Sequence, residues 1–274
     1  MNTKHVANTL SNSYLMLSMS QELSTTSLGG SQKMNQSASS IARLRVLTSN
    51  DGTSWQRLNI DYPNIQMNNS TPFWNGSELY VYFGKKGLYT KNFSDWKTFR
   101  WSNYFDNGKI EKQHIFTVNG KIYMLVVGHT TSVKRNGIYY AQINAKNGTV
   151  KSSWKRIISS KIPSKLVDVS VNYQDNKYYL ASTDNRGRVK VFTSDGNLDN
   201  LKASKIVLNN DQYSYQSAQI ISTKDGLLMC YTLVDRKTKF SNGMMYRRFL
   251  KHNKSLSEPQ KANIDFTTHD FSIR

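Results

Sequence analysis

Cysteine, proline and clustered histidine are scarce in this sequence of 274 residues, which contains one cysteine and four prolines. Because Cys230 is alone, it can form neither an intramolecular disulfide nor a cysteine-based metal site. It stands between Met229 and Tyr231 in an apolar run, so it is predicted to be a small buried hydrophobe. The five histidines have no spacing typical of metal ligands. The sequence therefore predicts neither a metal nor another cofactor.

Long apolar runs are also missing. The first 20 residues contain only the short apolar group Leu15 to Leu17, which is too short for a secretory leader or a transmembrane span. Neither is therefore predicted in the chain as given. The abundance of Asn, Ser, Thr and Lys is nevertheless common in exported bacterial proteins, and this favours an extracellular or cell-surface location.

Acidic residues are few, since 18 Asp and Glu are set against 37 Lys and Arg, which gives a net charge of +19. Two segments concentrate the excess: residues 85–156 carry 14 basic and 3 acidic residues, and residues 236–261 carry 8 basic and 1 acidic. These segments are consistent either with a positive surface for a polyanion or with a solvated surface that protects strand edges. Nucleic acid is the least expected polyanion, because no basic and aromatic nucleic-acid module is found. A monomer is expected.

A repeated hairpin pattern is what the sequence has in quantity. Asn-Gly and Asp-Gly type pairs favour tight primed turns, and β-branched or aromatic residues alternate on both sides of them. The four hairpins occupy residues 73–82, 116–125, 171–180 and 221–230. Hairpins that recur at this period, with little helical periodicity between them, are typical of propeller blades.

Each hairpin is followed by a further alternating run that begins with a small residue. These runs begin at Gly87, Gly137, Gly187 and Gly243, and a fifth run at Ala42 is predicted to pair with the segment from Ser11 to Leu17 across a loop of about residues 25–40. The sequence therefore predicts an all-β fold, a five-bladed β-propeller of four-stranded antiparallel blades, as a single domain over residues 1–274. The blades are expected at about residues 1–62, 63–108, 109–163, 164–210 and 211–274.

The segment Ser49–Trp55 resembles a shortened Asp box, the Ser-x-Asp-x-Gly-x-x-Trp turn of sialidases and related propellers. In such a turn the Asp carboxylate accepts turn hydrogen bonds, the Gly takes an unusual φ angle and the Trp packs between blades. The segment Asn92–Trp96 looks like a degenerate version. Asp51 and Asp95 are therefore predicted to be structural rather than catalytic.

The segment Glu111–Gly120 resembles the third-blade motif of family 43-type glycoside hydrolases, the arabinanase and xylosidase group. That family has five-bladed propellers, and its motif Glu-x-Pro-His precedes an Asn-Gly hairpin; here Gln113 replaces the Pro. The segment Leu166–Val171 is similar to the family's Asp-Pro opening of an innermost strand, with Val169 in place of the Pro. The resemblance implies that Glu111 and Asp168 both face the axial pocket.

Glycoside hydrolysis requires two carboxyl groups, one protonated and one ionised. The resemblance implies that Glu111 is the general acid, and it calls for an Asp base at the start of the first blade. The first fifty residues contain a single acidic residue, Glu22, which is not in that position, and the second blade begins with Ser70 and Thr71. Asp168 is the one nearby base that the sequence offers.

The leading hypothesis is a glycan in the axial funnel. Aromatic platforms and convergent polar groups suit sugars, whose rings have apolar faces and peripheral hydroxyls. The residues expected to bind it, besides Glu111 and Asp168, are Trp74, Trp101, His114, Tyr215 and Gln216. The alternative hypothesis is a module without catalytic activity that binds an anionic glycan or cell-wall polymer through the basic surface.

Overall fold

The computed structural model describes residues 2–21, 42–63, 69–105, 108–131, 136–158, 162, 165–250, 252–264 and 268–274. Glu22 and the predicted loop at residues 25–40 lie outside these ranges. In chain order the elements are α1 Thr3–Ser11, β1 Tyr14–Gln21, β2 Ala42–Ser49, β3 Gln56–Arg57, β4 Thr71–Trp74, β5 Leu79–Phe83, β6 Lys86–Thr90, β7 Lys97–Arg100, β8 Lys109–Val118, β9 Lys121–His129, β10 Gly137–Gln142, β11 Lys155–Ile157, β12 Leu166–Gln174, β13 Lys177–Asp184, β14 Val189–Asp195, β15 Lys202–Leu208, β16 Tyr213–Thr223, β17 Gly226–Asp235, β18 Ser241–Leu250, β19 Ser255–Leu256, β20 Gln260–Lys261 and β21 Thr268–Ile273.

The strands form five antiparallel sheets that follow one another around an axis. From inside to outside the sheets are β21-β1-β2-β3, β4-β5-β6-β7, β8-β9-β10-β11, β12-β13-β14-β15 and β16-β17-β18-β19, with β20 also paired to β18. The innermost strands β21, β4, β8, β12 and β16 each contact the next, and β16 contacts β21. The ring is therefore closed, and the predicted five-bladed propeller is confirmed.

The predicted hairpins form for the expected chemical reason. In the β8–β9 turn, Asn119 and Gly120 have φ angles of 48° and 72°, and in the β12–β13 turn Asp175 and Asn176 have φ angles of 51° and 62°. Two consecutive residues with positive φ are what a type I′ turn requires, and Asn, Asp and Gly tolerate that conformation best.

The first blade is completed by the end of the chain, which corrects the expected blade boundaries. The sequence analysis assigned residues 211–274 to the fifth blade, but β21 pairs with β1, with Leu17 opposite Ser272. Leu15 and Arg274 exchange two backbone hydrogen bonds of 2.8 and 2.7 Å. A pairing between residues so far apart leaves no periodic signal in the local sequence.

Helix α1 was not predicted. Asn2 caps it by accepting a hydrogen bond from the backbone N–H of His5 at 3.2 Å. Val6 and Leu10 are buried in a cluster with residues of the first and second blades. Only three of its nine residues are apolar, namely Val6, Ala7 and Leu10, so the helix depends on this packing more than on its own periodicity.

Two turns of the same build connect outer strands in the first and second blades. Asp51 accepts the backbone N–H groups of Thr53 and Ser54 at 2.7 and 2.8 Å, while Gly52 has φ +79°. Asp51 therefore accepts hydrogen bonds from the backbone of its own turn.

In the second blade, Asn92 occupies the equivalent position and accepts the N–H groups of Ser94 and Asp95 at 3.1 and 2.8 Å. Phe93 takes the positive φ, at 64°. The acceptor of this turn is therefore Asn92, and Asp95 has a different part, because its carboxylate accepts a hydrogen bond from the Asn92 side chain at 2.6 Å.

The core lies between neighbouring blades, in five clusters of buried apolar side chains. Cys230 is fully buried, as predicted, and burial raises the pKa of its thiol. Among the described residues, no group of three or more His, Cys, Asp or Glu side chains is placed to hold a metal ion. No helix in the described part of the chain is both long and apolar enough to cross a membrane.

Candidate functional site

The innermost strands lose their regular register close to where they begin. The pairing register shifts between Ile110 and Lys112 in β8, between Leu166 and Asp168 in β12, and between Gln216 and Gln219 in β16. In β21 it shifts between Thr268 and Asp270. Such irregularities bend a strand and re-aim its side chains, and they are over-represented next to active sites. We refer to this end of the axis, with Glu111, Lys112, Asp168, Gln216 and the backbone of Asp270, as the axial mouth.

A buried ion pair lies at the axial mouth between the third and fourth blades. Lys112 Nζ is 3.9 Å from Asp168 Oδ2, and the two side chains are only 5% and 8% exposed. Charges so far from water interact strongly, and a buried charge needs such a partner. Sequence analysis missed Lys112, since a lysine in a strand usually faces solvent. Its spacing of two and four residues from buried His114 and Phe116 was the available signal.

Glu111 lies at the register shift of β8, directly before Lys112. Its carboxylate pairs with Lys109 Nζ at 2.8 Å, and its side chain is 29% exposed. Glu111 and Asp168 therefore occur near the beginnings of β8 and β12, which are adjacent innermost strands. In this structure each of the two carboxylates engages a different lysine.

The first blade also has an acidic residue near the start of its innermost strand. Because β21 is that strand, the residue is Asp270, whose backbone lies opposite Met19. On one side of β16, Ser170 Oγ donates to the Ala218 carbonyl at 3.1 Å; on the other side, Phe271 N donates to Ser217 Oγ at 3.4 Å. Strands β12 and β21 therefore contact β16 from opposite sides at neighbouring residues, Ala218 and Ser217. Asp168 and Asp270 lie close to these contacts along their own strands. Asp270 was not among the predicted site residues, because the start of the first blade was expected near the N-terminus.

His114 is a buried link between blades, which corrects its expected role as a sugar ligand. Its Nε2 donates to the Val171 carbonyl at 3.0 Å, so the proton is on Nε2. Burial lowers the pKa of His114 to about 4; the Val171 hydrogen bond opposes this change, and the Lys112 charge adds to it. The imidazole is therefore neutral at pH 7 and is withdrawn from the mouth.

The two tryptophans expected in the funnel are placed elsewhere. Trp74 is the last residue of β4, opposite Leu79 at the hairpin end, and its indole N–H donates to Ser11 Oγ at 3.1 Å. Trp101 is 2% exposed and packs against Tyr82 and Trp154, with ring centroids 6.0 and 6.1 Å away. Both predictions of a sugar platform are wrong, because Trp74 is at the far end of its strand and Trp101 belongs to the core.

Of the two residues expected from the fifth blade, one remains accessible. Tyr215 is buried, with its ring 5.2 Å from that of Tyr231, so it offers no free face. Gln216 is exposed at the register shift of β16. In the second blade, β4 begins with Thr71, which is buried in a 2.8 Å hydroxyl contact with Ser272.

The fold has clear counterparts among solved structures. One is the α-L-arabinofuranosidase CtGH43 from Clostridium thermocellum, with a TM-score of 0.59 and 13% identity, covering 94% of this chain and 91% of that one. Another is a family 43 arabinoxylan arabinofuranohydrolase from Bacillus subtilis, with a TM-score of 0.59 and 13% identity, covering 93% and 65%. A third is an endo-1,4-β-xylanase from Bacteroides thetaiotaomicron, with a TM-score of 0.57 and 12% identity, covering 96% and 94%. No protein-family model and no curated protein matches the sequence. The chain therefore shares the propeller fold of family 43 glycoside hydrolases, as its motifs suggested.

Proposed function

We propose that this protein binds a glycan at the axial mouth and hydrolyses a glycosidic bond there, with Glu111 as general acid and Asp168 as base. The proposal rests on the positions of two carboxylates. Glu111 and Asp168 each lie where the register shifts near the beginning of an innermost strand, and these strands, β8 and β12, are adjacent. The propeller fold shared with family 43 hydrolases supports the same substrate class.

The two carboxylates have environments suited to different roles. Asp168 is buried, and Lys112 compensates its negative charge. Glu111 is more exposed, and its partner Lys109 is 64% exposed. An ion pair with so exposed a lysine contributes little, so a bound sugar can displace Lys109 and engage Glu111. Asp168 would then act as the ionised group and Glu111 as the proton donor.

Asp270 is a second candidate for the base. The family resemblance calls for an Asp at the start of the first blade, and Asp270 is the acidic residue of the strand that fills that place. The proposal therefore includes Asp270 as an alternative to Asp168 in the base role.

Sugar release from arabinan and xylan, measured as new reducing ends, tests the enzyme proposal. Glu111→Gln and the variant that removes the true base, Asp168→Asn or Asp270→Asn, are each expected to lower the rate by roughly 10²- to 10⁴-fold. Glu258→Gln is the matched control, because Glu258 is an exposed carboxylate in the fifth blade. Thermal unfolding of each variant verifies its fold. A Glu111→Gln protein as active as the parent would remove Glu111 from the mechanism.

Binding of an anionic glycan without hydrolysis is the second candidate function. It is favoured by the net charge of +19 and by the presence of Lys109 and Lys112 beside the carboxylates at the mouth. This function predicts that polygalacturonate or teichoic acid binds tightly at 20 mM salt and weakly at 300 mM salt. Dissolved ions screen the attraction between exposed charges, and the screening length is about 10 Å at 0.1 M salt. Affinity that is independent of salt counts against it.

A further inference from the structure

A second concave site lies between the third and fourth blades, away from the axial mouth. It is a cavity of about 310 Å³ lined by Phe116, Tyr123, Tyr140, Ala141, Gln142, Ser152, Ser153, Lys155, Tyr178, Asn197 and Leu198. Phe116 follows Lys112 by four residues on β8, so the two are separated by about 13 Å along the strand. Its volume is within the range of small-molecule sites, roughly 300–1,000 Å³. We call it the lateral groove.

Aromatic rings form one wall of the lateral groove. The ring of Tyr123 stacks on Phe116 at 5.4 Å with an interplanar angle of 19°, and it lies 6.3 Å from the ring of Tyr140. The ring of Tyr178 packs against the ring of Tyr173, and the two ring centroids are 4.7 Å apart. The rings are therefore held in place by their neighbours and need little ordering when a ligand binds.

This wall carries three phenol groups, those of Tyr123, Tyr140 and Tyr178. Among the residues that the structure describes, none forms a hydrogen bond with the hydroxyl of Tyr123, Tyr140 or Tyr178. Several other phenols are satisfied internally, as when Tyr82 donates to the Gly148 carbonyl at 2.9 Å and Tyr173 to Asn176 Oδ1 at 2.6 Å. A half-buried polar group of this kind gains a partner when a polar ligand enters.

Among the described lining residues of the groove, Lys155 is the one charged side chain. Lys155 is exposed at the rim, and the Asp199 carboxylate is close enough to add to the burial that raises the pKa of Tyr140. Burial also raises the pKa of Tyr178 to about 12, so its phenol remains a proton donor at pH 7. A wall of aromatic faces and half-buried hydroxyls, with its charged side chain at the rim, suits a neutral ligand with apolar faces and peripheral hydroxyls.

We propose that the lateral groove is a second glycan-binding site, which holds a neutral oligosaccharide on the rings of Tyr123, Tyr140 and Tyr178. The phenol hydroxyls and the Gln142 amide hydrogen bond to the sugar hydroxyls. The site goes beyond the function proposed for the axial mouth, since it needs neither Glu111 nor Asp168. Its role is attachment, because among the described lining residues none is a carboxylate that could cleave a glycosidic bond.

An NMR titration of the full chain, labelled with ¹³C in the tyrosine rings, tests the proposal. Xylohexaose is the neutral probe and hexagalacturonate the acidic one. Xylohexaose is expected to shift the ring signals of Tyr123, Tyr140 and Tyr178, which single Tyr→Phe variants assign. In Tyr140→Phe/Tyr178→Phe, the remaining Tyr123 signal should report a dissociation constant roughly 5- to 100-fold higher, because two hydrogen bonds are lost while both rings remain.

The controls separate this site from the axial mouth. Tyr104→Phe removes an exposed phenol outside the groove and should leave the dissociation constant unchanged. Glu111→Gln should lower the rate of sugar release by roughly 10²- to 10⁴-fold and leave the groove signals responsive, so failure of one proposal does not imply failure of the other. Absence of shifts at these rings with 10 mM xylohexaose, tighter binding of hexagalacturonate, or an unchanged constant in the Tyr140→Phe/Tyr178→Phe variant would each overturn the proposal. Gln142→Ala, at a half-buried position, gives an independent second variant with the same expected direction.

Discussion

Asp51 shows how a few turn hydrogen bonds fix the charge of one side chain. Burial opposes ionisation, but the N–H groups of Ser54 and Thr53 and the hydroxyl of Ser49 outweigh it and lower the pKa of Asp51 to about 2. The folded pKa is then below the unfolded value of about 3.9. The resulting stabilisation is present above pH 4 and is lost as the pH falls through 2.

Asp51→Asn is therefore expected to lower the free energy of unfolding at pH 7, because a neutral amide is a weaker acceptor for these three donors. The difference between parent and variant should shrink as the pH falls from 4 to 2. Urea denaturation at pH 7, 4, 3 and 2 measures it. A difference that stays constant over this range would show that the charge of Asp51 has no part in stability.

His114 gives a second pH-dependent prediction, with the window at higher pH. Its pKa of about 4 lies below the unfolded value of about 6.5, so the unfolded chain binds the proton more readily. The free energy of unfolding should fall as the pH decreases from 6.5 to 4. In His114→Gln, which retains a donor for the Val171 carbonyl, this part of the pH dependence should disappear. Parallel pH profiles for parent and variant would contradict a buried neutral imidazole.

Strand β21 is held in the ring by one side-chain amide of the neighbouring blade. Gln219 Nε2 donates to the Phe271 carbonyl at 3.0 Å, and Gln219 Oε1 accepts from Ile273 N at 2.7 Å. Gln219 is 1% exposed, so both bonds are shielded from water. We call these two hydrogen bonds of Gln219 the clamp. They join the fifth blade to β21, the strand that completes the first blade.

Gln219→Ala is expected to lower the free energy of unfolding by about 2–5 kcal/mol, since two buried backbone groups lose their partners. Gln216→Ala, at an exposed position of the same strand, should change it by less than about 0.5 kcal/mol. Chemical denaturation compares the two. Equal effects of both substitutions would show that the clamp contributes nothing specific.

The elements differ in how far the sequence could predict them. The hairpins were predictable because Asn119-Gly120 and Asp175-Asn176 are local signals for positive φ. The position of β21 was not, because its pairing with β1 depends on ring closure across almost the whole chain. The turn at Phe93 was also hard to predict. Phe93 has the positive φ, 64°, that Gly52 has in the equivalent turn, and a bulky residue is not expected in that conformation.

The candidate site was predictable only in part, for a related reason. Glu111 and Asp168 follow from the motif and from the start of each innermost strand. Lys112 and the register shifts depend on contacts between blades, which periodicity does not encode. Trp74 was misplaced because the same short strand has one end at the mouth and the other at the hairpin.

At the scale of the molecule, closure of the ring by its last strand makes stability depend on the final residues. Phe271 and Ile273 are buried, and burying two such side chains contributes about 3–6 kcal/mol. That is a large part of the roughly 5–15 kcal/mol by which proteins of this kind are stable. Deletion of residues 268–274 should therefore abolish the cooperative thermal transition.

A synthetic peptide of residues 268–274, added in excess, is expected to restore that transition, whereas a scrambled peptide should not. Differential scanning calorimetry provides the measurement. A truncated protein that unfolds like the parent would contradict closure by β21.

The central claim is that the axial mouth binds a glycan between Glu111 and Asp168. The most direct measurement is a crystal structure of Glu111→Gln, which is expected to bind without cleaving, soaked with arabino- or xylo-oligosaccharides. Electron density for a sugar ring is expected at the mouth, with the sugar hydroxyls in hydrogen-bond contact with Asp168 and Gln216. An empty mouth at saturating sugar, or density confined to other surfaces, would contradict it.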